Sequence, residues 1–115
     1  MTKLYHLDTM GCQMNERDSE TLAGILREMG YEAATAVEDA DIIVFNTCTV
    51  RAKPHHKLFS KLGELRRLKQ HRPQMIIAVC GCLAQIAMEE IRRRAPYVDI
   101  IIGPRNYSRF AAALT

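Results

Sequence analysis

The chain has 115 residues, 48% apolar and 25% charged, a balance that fits one globular domain and excludes disorder and collagen-like repeats. No apolar run approaches the ~18 residues that a membrane span needs, and the opening stretch lacks the apolar core and cleavage site of a secretory signal. The net charge of +3 hides a gradient, with residues 1–45 balancing to −6 and residues 46–115 to +9, which suggests either a polyanionic partner or a solvated basic helix face.

In chain order, a first strand is expected over residues 3–7. A helix follows over 16–29, with Leu22, Ile25, Leu26 and Met29 on one face, Asn15 as N-cap and Gly30 as the left-handed stop. A weaker strand falls near 31–35. The apolar runs 42–45 and 75–79 read as strands buried on both faces, and 98–102 resembles them. Between them, Leu58, Leu62, Leu65 and Leu68 mark a second helix that has Pro54 in its first turn and stops before Pro73. A third helix is expected over 84–94 and a fourth over 106–114. Strands and helices alternating at this spacing predict an α/β fold, a flavodoxin-like open parallel five-stranded sheet in the order 2-1-3-4-5 with helices on both faces. A nucleotide-binding reading is weak, because no glycine-rich fingerprint follows the first strand.

The four cysteines are Cys12, Cys48, Cys80 and Cys82. Without a secretory signal the expected setting is the reducing cytoplasm, where thiols act as ligands or nucleophiles more often than as disulfide frameworks. In the predicted topology Cys12, Cys48 and Cys82 fall at the carboxyl ends of strands 1, 3 and 4. Those strands are neighbours about 4.8 Å apart, so the three thiols converge on the rim where open parallel sheets bind ligands. Each lies beside glycine or polar residues, unlike a cysteine used as a small core hydrophobe. Cys80 and Cys82 point to opposite faces of an extended strand. Cys82 is the better ligand, since Gly81 permits a turn before it, and Cys80 is expected to pack under a helix. Three thiolates suit either zinc with a fourth ligand, for which His55 and His56 are candidates, or an iron–sulfur cluster with one open iron. The tight knuckle spacing of zinc sites is absent, and separations of 36 and 34 residues favour a cluster on a rigid scaffold.

Three separated motifs, Gly11-Cys12-Gln13-Met14-Asn15, Asn46-Thr47-Cys48-Thr49-Val50-Arg51 and Gly81-Cys82-Leu83-Ala84-Gln85, together with Ala95-Pro96-Tyr97-Val98-Asp99, resemble the N-terminal domain of the methylthiotransferases, a branch of the radical S-adenosylmethionine enzymes. The likeness covers essentially the whole chain, residues 1–115. It implies that Cys12, Cys48 and Cys82 bind an auxiliary four-iron, four-sulfur (4Fe-4S) cluster, whose open iron handles the sulfur to be inserted, and it leaves Cys80 out. Gln13 and Met14 resemble the branch that adds a methylthio group to isopentenyladenosine beside the tRNA anticodon. The branches acting on threonylcarbamoyladenosine or a ribosomal protein tend to read differently there. Pro54-His55-His56 departs from the acidic stretch common in the family and puts the start of the second helix in doubt.

The family's C-x₃-C-x₂-C motif, which binds a second 4Fe-4S cluster and cleaves S-adenosylmethionine, has no counterpart here. The expected partners are therefore the radical S-adenosylmethionine and RNA-binding domains of a full-length enzyme, and the tRNA substrate, with no membrane. A transferase is expected, although this domain alone would be catalytically incomplete. The rival expectation is a non-catalytic metal-binding or docking module on the same fold. Asn46, Gln13 and Gln85 adjoin the cysteines and are candidates to donate hydrogen bonds to cluster sulfurs, or equally to cap helices and loops. The basic residues Lys53, Lys57, Lys61, Arg66, Arg67, Lys69 and Arg72 are candidates for phosphate contacts, with little aromatic content nearby for base stacking.

Overall fold

The computed structural model describes residues 3–9, 15–47 and 52–103; the side chains of 9, 15–19, 52–57, 82 and 83 are not described. Five strands, β1 (Lys3–Thr9), β2 (Tyr31–Ala33), β3 (Ile42–Thr47), β4 (Ile76–Gly81) and β5 (Ile100–Ile102), form one sheet in the order β2-β1-β3-β4-β5. Every pairing is parallel, as the apolar runs predict. All six residues of β3 are buried, because its two faces meet different layers.

Alternation along the strands sorts the core into those layers. Ile43, Phe45, Ile77 and Val79 pack with Leu58, Leu62 and Leu65 of helix α2 (Ala52–His71). Ile42, Val44 and Ala78 pack with Leu22 and Leu26 of helix α1 (Asn15–Glu28). The expected leucine stripe of α2 is therefore its buried face, and Gly30 ends the α1 segment with φ +96°.

Strands β1, β3 and β4 run past their expected ends to Thr9, Thr47 and Gly81, α1 begins at Asn15, the expected cap, and three further boundaries differ. The single helix expected over 84–94 is two, α3 (Cys82–Ile86) and α4 (Met88–Arg94), separated at Ala87, whose φ of −102° and ψ of 20° leave the helical region. No helix breaker occupies that stretch, so residue type does not announce the break. Strand β5 starts at Ile100, because the Val98 N–H closes a turn onto the Ala95 carbonyl at 3.1 Å instead of joining the ladder. Strand β2 stops at Ala33, although the Ala34 N–H still bonds the Tyr5 carbonyl at 2.8 Å. The helix expected over 106–114 lies outside the described residues.

The foot of the sheet is tied by aspartates. The Leu4 N–H donates to Asp41 Oδ2 at 2.8 Å, and the Ile77 N–H donates to Asp99 Oδ2 at 3.0 Å. Each aspartate also pairs with a base at or just past the end of α2: Arg72 with Asp41 at 2.9 Å, and Lys69 with Asp99. Arg72 further donates to the carbonyls of Glu38 and Ala40 at 2.8 and 2.9 Å, which pins the short 3-10 turn Val37–Asp39 between β2 and β3.

Candidate metal centre at the carboxyl ends of the strands

At the opposite end of the sheet, β1, β3 and β4 finish side by side. Thr9 pairs with Asn46, Asn46 with Cys80, and Thr47 with Gly81. Cys48 follows Thr47 directly, and Cys82 follows Gly81 as the first residue of α3. Cys12 comes three residues after Thr9. Cys12 and Cys48 lie outside the described residues, as do Gln13 and the side chain of Cys82. The fold thus brings together the strand ends that lead into the three expected ligands. Among the described residues, no three His, Cys, Asp or Glu side chains are grouped so as to hold a metal ion.

Cys80 is fully buried in the layer that contains Leu22 and Leu26. Burial pushes its thiol up to about 12, which keeps the sulfur protonated and a poor nucleophile. Asn46 and Thr47 are the buried polar residues at this rim. The Thr47 hydroxyl donates to the Cys80 carbonyl at 2.7 Å, a buried bond between β3 and β4. Gly81 adopts φ +100°, and a Cβ placed on it would lie 2.3 Å from the Thr47 carbonyl oxygen. The turn after β4 was legible from glycine; the part played by Thr47 was not, since its partner is 33 residues away. Gln85 is exposed and sits against Gly103, where an added Cβ would lie 3.1 Å from Gln85 Oε1.

A profile described as "Uncharacterized protein family UPF0004" matches residues 4–103. The chain belongs to this family. Proteins similar to it include the tRNA-2-methylthio-N(6)-dimethylallyladenosine synthase of Hydrogenobaculum sp. (strain Y04AAS1), 50% identical over 102 residues that make up 89% of this chain and 23% of the relative. That of Desulforamulus reducens is 50% identical over 107 residues, 91% of this chain and 24% of the relative. That of Clostridioides difficile is 46% identical over 115 residues, 98% of this chain and 24% of the relative. The chain spans about a quarter of the length of these curated relatives. The resemblance to the N-terminal domain of the methylthiotransferases is therefore borne out, and the relatives are transferases that modify tRNA.

Within this UPF0004 domain the basic stretch is less free than its composition suggests. Lys61 pairs with Asp8, Lys69 with Asp99, and Arg72 with Asp41. Arg94 lies 4.0 Å from the centroid of the Phe59 ring and pairs with Glu90 at 2.9 Å. Arg66, Arg67, Arg92 and Arg93 make no ion pair among the described residues. The Tyr97 hydroxyl donates to the Leu62 carbonyl; burial raises its pKa, and the nearby Arg66 charge partly offsets that rise. No described helix is long and apolar enough to cross a membrane.

Proposed function

We propose that this domain is the N-terminal part of a cytoplasmic tRNA methylthiotransferase and holds a 4Fe-4S cluster through Cys12, Cys48 and Cys82. The single observation that carries the reading is the adjacency of the three strand ends: Thr47 and Gly81 are register partners one residue before Cys48 and Cys82, and β1 ends beside β3. The donor set fits such a group, because three thiolates leave one iron without a protein ligand. Cys80 is turned into the core by strand alternation and carries a neutral thiol, which suits it to packing.

When bound, the group supplies an open iron for the sulfur that becomes the methylthio substituent. The protein's own contribution is placement. Strands β3 and β4 lead into Cys48 and Cys82 from a fully packed sheet, and Asn46 and Thr47 are buried polar residues in the last two positions of β3. The substrate in this reading is isopentenyladenosine beside the anticodon, supported by Gln13-Met14 and by the names of the relatives. Radical S-adenosylmethionine chemistry, with its own 4Fe-4S cluster, and RNA binding belong to further domains of a longer protein; the length of the relatives supports this division.

The test is anaerobic reconstitution with iron and sulfide. A brown protein absorbing near ~400 nm with close to four irons per chain is expected. Alanine at Cys12, Cys48 or Cys82 should each abolish stable iron uptake, whereas Cys80→Ala should retain it. A colourless protein holding stoichiometric zinc, or equal iron loss in all four variants, overturns the reading.

A further inference from the structure

We propose that Thr47 and Gly81 form a clasp that sets the separation of Cys48 and Cys82, acting as positioning residues for the pair; the proposal rests on the metal-centre reading above. The two residues face each other as the last register pair of β3 and β4. A Cβ on Gly81 would lie 2.3 Å from the Thr47 carbonyl oxygen, 3.0 Å from its backbone nitrogen and 3.1 Å from its hydroxyl. All three neighbours belong to one residue, and two of them are backbone atoms that cannot swing aside. The strands therefore approach here more closely than any residue with a side chain allows. The Thr47 hydroxyl adds the 2.7 Å bond to the Cys80 carbonyl, with Thr47 and Cys80 both buried, so water cannot substitute for either partner.

Thr47 and Gly81 each lie one residue before a proposed ligand. Fixing the backbone of residues 47 and 81 fixes the ends of β3 and β4 from which the chain continues to Cys48 and Cys82. A multinuclear centre demands matched sulfur positions, and small displacements of oriented groups carry large penalties in rate. Positive φ at Gly81 then redirects the chain straight into α3, so that Cys82 starts a helix instead of continuing the strand.

The experiment bridges the two thiols in iron-free protein with dibromobimane, a short reagent that alkylates both at once, in a Cys12→Ala background where Cys80 is buried. The bridged species is read by mass spectrometry. Thr47→Val, which keeps the shape and removes the donor, should slow bridging about tenfold. Thr47→Ser, which keeps the donor, should bridge at the parent rate. Gly81→Ala should slow bridging further; if it does not fold, the Thr47 pair carries the test. A Thr47→Val protein that is less stable to urea yet bridges at the parent rate overturns the clasp and leaves only a structural role. Failure of the parent to bridge at all also overturns it. Failure of the metal-centre reading shows separately, as absence of iron uptake in protein with Cys12 intact while the Cys12→Ala protein bridges normally.

Discussion

Gly30 and Gly81 share nearly the same backbone conformation, φ +96° and +100°, at opposite ends of the sheet. Gly30 stands between α1 and β2, with nothing within 4 Å of where a Cβ would go. Gly81 stands at the carboxyl rim, with Thr47 filling that space. One glycine is punctuation and the other is a contact surface. Positive φ alone does not distinguish them; what surrounds the missing side chain does.

Substitution should separate the two. Gly81→Ala combines left-handed strain with a clash against backbone and should lower unfolding free energy by about 3 kcal/mol in urea titration. Gly30→Ala meets only the strain and should lose about 1 kcal/mol. Equal losses would erase the distinction between the foot and the rim. A second contrast concerns the bases of α2 and Arg72 just after it. Arg72→Met breaks three hydrogen bonds that hold the 3-10 turn and should destabilise by about 1–2 kcal/mol. Lys61→Met loses one partly exposed pair with Asp8 and should cost less than about 1 kcal/mol, shrinking further in high salt. Exposed Arg67 has no ion pair among the described residues, and Arg67→Ser should change stability by no more than about 0.5 kcal/mol. At the other sign, Gly63 lies inside α2 with open space around it, so Gly63→Ala should raise the thermal midpoint, worth about 0.5–1 kcal/mol of helix propensity.

Much of the fold was readable because β3 and β4 are buried on both faces, which forces unbroken apolar runs such as Ile42-Ile43-Val44-Phe45. The leucine stripe of α2 and the stop at Gly30 were readable for similar reasons, since each imposes a residue type at a fixed position. The break at Ala87 was not, because it is a dihedral choice that alanine neither favours nor forbids. The charge gradient misleads in an instructive way. Asp8 and Asp41 come from the acidic half and Lys61 and Arg72 from the basic half, yet they meet across the fold. Part of the apparent polarity is thus internal neutralisation between segments 53 and 31 residues apart. At the candidate site the cysteine motifs were visible as spacing, whereas the Thr47 bond depends on a strand register that spacing does not reveal.

Asp41 and Asp99 each seal the amide of the second residue of a neighbouring strand and hold a cation at or just past the end of α2. A sheet bolted at that end and buttoned at the other by one hydroxyl and one glycine unzips directionally. Amide exchange should find Leu4 and Ile77 among the last to open, although each lies at or beside the start of its strand. Opening that begins at the carboxyl rim leaves the aspartate end paired, so brief excursions of the rim need not pass through a denatured chain.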